Sequence, residues 1–168
     1  MAENEVNEDE LELEDYRGDA EQVFIQTHER INQDLCGEVI KLEQGYVELR
    51  LTTTPEMIAD EVGLIHGGFI FSAADYAAML AVNERNVVLV ASDCQFLSPV
   101  KFHDEVNFVA RVRHKEGRKR NVHVEGFVLE IKVFEGEFKT VITDRHVLKM
   151  KLLEENEKAS GTHAEDEA

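Results

Sequence analysis

The sequence predicts an α+β domain in which one long antiparallel β-sheet wraps around a single central α-helix. Three observations carry that prediction. Residues 87–96, 105–114, 121–133 and 138–150 are long stretches rich in Val, Phe and Ile, the composition of strands. Turn signals at Ser98-Pro99, Glu116-Gly117 and Glu135-Gly136 separate them, and consecutive long strands joined by short turns pair antiparallel. The one strongly helical stretch beside them, residues 69–83, is apolar almost all the way round, which marks a buried helix. Ala73, Ala74, Ala77, Ala78 and Ala81 give that helix small side chains, so strands can approach it closely on several sides.

The elements before it read in order. Residues 20–35 place Val23, Ile25, Ile31 and Leu35 at mixed helical spacing, which predicts a helix ended by Gly37. Residues 46–51 (YVELRL) alternate apolar and polar, the mark of a half-buried strand, after a turn at Gly45. Thr54-Pro55 predicts a short helical turn running through Asp60, with proline at its first position.

At 168 residues the chain has enough length for one domain with a full core. The net charge of −17 is concentrated at the ends. Residues 1–15 hold eight acids and no base, and residues 154–168 hold six acids and one base, which leaves −4 for the middle. The expected organisation is an acidic tail at 1–18, the folded domain at 19–152 and a second acidic tail at 153–168, with both tails disordered. A chain this acidic is not expected to bind nucleic acid, because phosphate contacts come from clustered Lys and Arg. No apolar run reaches the ~18 residues of a membrane span, and no basic-then-apolar leader opens the chain, so no membrane partner and a cytoplasmic location are expected. Cys36 and Cys94 lack metal-ligand spacing and read as small hydrophobes rather than a disulfide.

The segment HGGFIFSAAD, from His66 to Asp75, carries the chemistry. A glycine pair opening a helix permits a tight strand-to-helix turn. It also leaves the first helical N–H groups, at the positive end of the dipole, open to a ligand oxygen such as a developing oxyanion. Asp75 is a carboxylate on an otherwise apolar helix, a costly placement unless it is paired, solvated or lining a site. Gly67 and Asp75 are eight residues apart, about 12 Å along a helix axis. An oxyanion donor and a base or nucleophile must both lie near ~3 Å from one carbonyl, so one chain cannot supply both to one site. If both groups act, two copies must face each other and share two sites across a two-fold axis.

His66-Gly67-Gly68, an apolar run, then Ala74-Asp75 resembles the H-G-G-(x)6-D motif of hotdog-fold acyl-CoA thioesterases of the phenylacetate-pathway type. Phe96-Leu97-Ser98-Pro99-Val100 with Asp104 following is similar to that family's F-L-x-P-(x)4-D strand and turn, and the likeness runs from about residue 42 to 148. The resemblance implies a hotdog fold and a homodimer, joined edge to edge, that can assemble further into tetramers or hexamers. It also implies hydrolysis of an acyl-CoA at sites between subunits, with no cofactor beyond the coenzyme A of the substrate. Carried over by position, the Gly67 N–H polarises the thioester carbonyl, with Gly68 beside it. Asp75 of the partner subunit acts as general base or nucleophile, and His66 orients the turn. The sequence departs from the family at Asp60, where many relatives have asparagine. With Glu61 beside it, Asp60 either repels an oxyanion or takes over the positioning of water.

Arg111, Arg113, Lys115, Arg118, Lys119 and Arg120 put six bases within ten residues. Arg111, Arg113 and Lys115 alternate and are expected to share one strand face. The cluster reads as a docking patch for coenzyme A phosphates, as a solvated hairpin face, or as a surface gated by the acidic tails. His103, His114, His123 and His146 have no carboxylate or cysteine at metal-like spacing, so no metal is expected. Phe69, Phe71 and Met79 read as core filling rather than an acyl tunnel. The reading competing with an enzyme is a non-catalytic acyl-CoA-binding or sensing hotdog module. No helix-turn-helix precedes the domain, and a sensor does not need Asp75.

Overall fold

The computed structural model describes residues 22–150, so both expected tails, 1–18 and 153–168, fall outside the described residues. Six antiparallel strands form one sheet: β1 (Glu38–Glu43), β2 (Tyr46–Thr52), β3 (Val87–Phe96), β4 (Glu105–Glu116), β5 (Lys119–Val128) and β6 (Ile131–Ile142), in the order β1-β2-β4-β5-β6-β3. A short helix, α1 (Gln33–Cys36), precedes β1, and the long α2 (Gly67–Val82) packs against the inner face. The core lies between them. Val47, Leu49 and Leu51 of β2, Val106 and Phe108 of β4, Val122 and Val124 of β5, and Phe134 and Phe138 of β6 meet the five alanines of α2, all buried. Burying each of the larger side chains contributes roughly 1.5–3 kcal/mol. The alanines keep the helix thin enough for the sheet to wrap it.

The expected helix over 20–35 is limited to Gln33–Cys36. Residues 22–32 run without regular structure, and Val23, Ile25 and Thr27 turn inward in a two-residue alternation. Asn83 holds this segment: its Oδ1 accepts from the Gln26 N–H at 2.8 Å and its Nδ2 donates to the Phe24 carbonyl at 2.8 Å. Asn83 also caps α2 in the left-handed conformation, so one buried side chain stops the helix and anchors the N-terminal strap. The strand β1 has no clear alternation and was not expected; it pairs with β2 through a turn at Gly45. Thr54-Pro55 does open a helical turn, but it ends at Met57.

The strand β3 has the bounds expected of it, and β4 runs two residues further. The last pair differs. The turn expected at Glu135-Gly136 lies instead between Val128 and Ile131, with Leu129 in the left-handed region at φ 53°. Gly136 sits in mid-strand, where a Cβ would meet Cys94 Sγ at 2.8 Å and the Asp93 carbonyl oxygen at 3.2 Å. This glycine admits a neighbouring strand; it does not make a turn. β6 ends at Ile142, and the helical conformation taken up from residue 147 replaces the end of the expected strand.

The two sheet edges are unlike. β1 is six residues long, carries Glu38, Lys41 and Glu43, and has a bulge near Ile40, all of which blunt an edge. β3 is ten residues long with Asp93 as its one charged residue, and Val90 and Phe96 are exposed on it.

Candidate functional site

The glycine turn is pinned from both sides. Ile65 donates its N–H to the Val100 carbonyl at 2.8 Å, and His66 donates to the Met57 carbonyl at 2.9 Å. Isolated bridges between Ile58 and Ile65 and between Leu64 and Lys101 complete the frame. His66 is the N-cap of α2 in extended conformation, makes no side-chain cap, and its carbonyl accepts from the Phe69 N–H at 3.1 Å. Among the described residues the Gly67 and Gly68 N–H groups have no acceptor, the ordinary condition of the first helical turn. The packing explains the glycines. A Cβ on Gly68 would lie 3.0 Å from Cδ2 of the His66 ring, and one on Gly67 would lie 3.3 Å from Phe96 Cε1. His66 therefore packs across the turn, edge-on to Phe69 at 6.3 Å.

A cavity of about 260 Å³ opens beside Gly67, walled by Ile65, Ile70, Phe96 and Val133. It shares Leu64, Ser98, Pro99 and Val100 with a larger apolar groove of about 780 Å³ that reaches Val62, Leu129 and Ile131. Val62 and Leu129 are 93% and 90% exposed. Sequence reading missed this groove because its walls come from three separate segments.

Asp75 lies two turns further along α2. Its Oδ1 is buried and, among the described residues, has no hydrogen-bond partner. That burial pushes its carboxyl up to about 6. Burial likewise raises the Cys94 thiol, and the charges of Asp93 and Asp75 add to the rise. Within one chain Asp75 and Gly67 remain about 12 Å apart along the helix.

Asp60 has a structural task. Its Oδ1 accepts from the N–H groups of Val62, Gly63 and Leu64 at 3.0, 2.9 and 3.0 Å, and those bonds hold its carboxyl below the usual range. The side chain folds the loop entering the glycine turn and also lines the groove. Asp104 does the same for its own turn, accepting from the Lys101 N–H at 3.0 Å.

The basic residues are not brought to this site within the chain. Phe96 pairs with Phe134, Phe134 with Gly126 and Gly126 with Phe108, which defines the glycine end of the sheet. Lys119 pairs with Glu116 and Val141 at the opposite end, about 25 Å away along β4. Arg111, Arg113 and Lys115 do not share a face either. A bulge between Val112 and His114 takes up Arg113 and reverses the alternation. Arg111 lies opposite His123 on the outer face, while Lys115 lies opposite Arg120. Arg118 pairs with Asp144 at 2.6 Å, and Arg120 donates to the carbonyls of Gly117 and Lys119.

Cys36 and Cys94 are free thiols, and Met79 is core, as expected. Phe69 and Phe71 pack against that core. Among the described residues no helix is long and apolar enough to cross a membrane. His123 is the exception to the reading of the histidines, since cross-strand pairing brings Glu125 and Glu135 to it.

A six-stranded antiparallel sheet around one helix, with a glycine turn at the helix start, defines the hotdog class. The family model of the thioesterase superfamily matches residues 62–135. The acyl-coenzyme A thioesterase PaaI of Escherichia coli is 31% identical over 103 residues, which is 57% of this chain and 72% of that protein. The chain belongs to the thioesterase superfamily. A methylthioribose-1-phosphate isomerase of Aquifex aeolicus is 56% identical over 117 residues, 70% of this chain, yet the match spans only 26% of that protein's length. Among solved structures, the uncharacterized protein PH1136 of Pyrococcus horikoshii superposes with a TM-score of 0.74 at 43% identity, covering 75% of this chain and 97% of that one.

Proposed function

We propose that the protein hydrolyses an acyl-CoA thioester to the free acid and coenzyme A, at two sites shared across a homodimer. The observation that carries this reading is the buried Oδ1 of Asp75, without a partner among the described residues, on a helix that opens with two unsatisfied N–H groups and packs against a sheet whose β3 edge is open. Antiparallel pairing of β3 with its copy would cover the open edge and set the two α2 helices antiparallel. Gly67 of one subunit then faces Asp75 of the partner subunit.

The chemistry follows from the groups. The thioester carbonyl oxygen points at the Gly67 N–H, which stabilises the negative charge formed on attack. As general base, Asp75 takes a proton from water as the oxygen bonds to the carbonyl carbon. As nucleophile, its carboxylate bonds to that carbon directly, and water then cleaves the anhydride. In both routes the C–S bond breaks and the coenzyme leaves as thiolate, a good leaving group. A carboxyl near 6 is ionised at neutral pH and still basic enough to accept a proton. The apolar groove beside Gly67 suits an acyl or pantetheine chain. The same two-fold pairing would carry the basic hairpin of the partner subunit to the glycine end, where phosphates could reach it. The likeness to PaaI supports the substrate class.

Thiol release across a panel of acyl-CoAs tests the proposal, with wild type, Asp75→Asn and Gly67→Pro compared. Proline at the first helical position removes the N–H and suits both the helix and the extended His66 before it, and Gly67→Ala, which keeps the N–H, controls for the Cβ that would lie 3.3 Å from Phe96 Cε1. Loss of about 10²–10⁴ in rate for Asp75→Asn and about 10²–10³ for Gly67→Pro is expected. Wild type that binds acyl-CoA without turnover would make the domain a binding module.

A further inference from the structure

We propose that the outer face of the sheet, away from α2 and the glycine turn, holds a divalent transition-metal ion between His123, Glu125 and Glu135. His123 and Glu125 are two residues apart on β5, so they share a face, and Glu135 lies directly opposite Glu125 on β6. Val122 and Val124, on either side of His123, point the other way into the core. Although it points outward, the His123 side chain is only 9% exposed, because the acids on either side close over it.

The hydrogen bonding around this ring is one-sided. Nδ1 meets Glu137 Oε1 at 2.5 Å, the carboxylate partner that fixes a metal-binding histidine in the tautomer leaving Nε2 free. Nε2 then faces Glu135 Oε1 at 3.2 Å and Glu125 Oε1 at 3.8 Å. Three electron-pair donors converge there, all within 4.8 Å of one another. Ligands at about 2.0–2.2 Å around a tetrahedral ion stand roughly 3.3 Å apart, so the spacing fits zinc with modest closure.

Lys132 supports this arrangement. Its ammonium bonds Glu125 Oε2 at 2.6 Å and approaches Glu135 Oε2 at 3.6 Å, the oxygens turned away from the imidazole. It clamps the two carboxylates side by side with their Oε1 atoms presented to Nε2. Arg111, opposite His123 on β4, lies over the Tyr46 ring at 5.0 Å. Three carboxylates against two cationic side chains leave the pocket favourable to a further cation. His123 and Glu125 come from β5 and Glu135 from β6, so the ion would tie these strands together on the face opposite the core.

Titration of the full chain with Co²⁺ and Zn²⁺ tests the site. Wild type is expected to bind Co²⁺ with the intense visible absorption of a four-coordinate ion, to lose it on adding Zn²⁺, and to melt at a higher temperature with Zn²⁺. His123→Ala and Glu135→Gln should abolish the absorption, and Glu137→Gln, which leaves the three ligands, should weaken binding about 10–100-fold. Circular dichroism checks that each variant is folded, and Glu135→Gln keeps the test alive if His123→Ala is not. Wild type without a four-coordinate spectrum, or folded variants binding as tightly as wild type, would overturn the proposal.

Discussion

Asp75 is the residue whose environment makes the sharpest demands. Burial raises its pKa to about 6, so the folded chain holds this proton more tightly than the unfolded chain. Folded stability therefore falls as pH rises from about 4 to about 6, and above that range the full cost of the buried charge is present. Asp75→Asn should be more stable than wild type at pH 7.5, by up to ~3 kcal/mol, with the difference closing near pH 4 in denaturant titrations. A less stable Asp75→Asn at pH 7.5 would mean the carboxylate is paired. In wild type, kcat/KM should rise with pH through an apparent pKa near 6 as the base ionises. Asp75 and the glycines were legible in the sequence because an acid on an apolar helix and a glycine pair at its start both break local rules. Asp60 was half legible: its acidity was plain, but its three N–H partners depend on the loop's path.

At the scale of elements, the errors of sequence reading have physical causes. Glycine after an acid looks the same at a turn and at a crowded strand position. Gly117 is a turn, with φ at +55° and open space around it, whereas Gly136 is excluded from bearing a side chain by Cys94. Gly136→Ala should cost about 1–3 kcal/mol in chemical denaturation, with Cys94→Ala in the same chain recovering part of the loss. The strap over 22–32 was misread because Ile25, Ile31 and Leu35 fit a helical face as well as an extended one. Asn83, far away in sequence, decides between them by bonding the backbone of Phe24 and Gln26. Asn83→Ala should cost about 2–3 kcal/mol by losing those bonds and the left-handed cap, and should make the strap the first segment to exchange its amide protons.

For the whole molecule, the proposed second copy would answer both the open β3 edge and the separation of Gly67 from Asp75. Val90→Lys places a charge on that edge and should shift the protein toward monomer in sedimentation, with hydrolysis falling in step. Co-expressed Asp75→Asn and Gly67→Pro chains should recover about a quarter of wild-type activity, since half of randomly mixed dimers are mixed and each has one intact site. No recovery, with mixed dimers confirmed by tags, would place both groups in one chain.

The sequence by itself determined the sheet, the buried helix and the motif at its start, because hydrophobic period, alanine content and glycine placement act locally. It also determined that Gly67 and Asp75 cannot meet in one chain, since helix rise is constant. Only the tertiary structure decided which strands lie at the edges and which glycine is a turn. It also set the basic hairpin at the far end of the sheet from the glycines and gathered His123, Glu125 and Glu135 around one point. Those features arise from pairing between strands, and the register that creates them, bulges included, is a property of two segments at once.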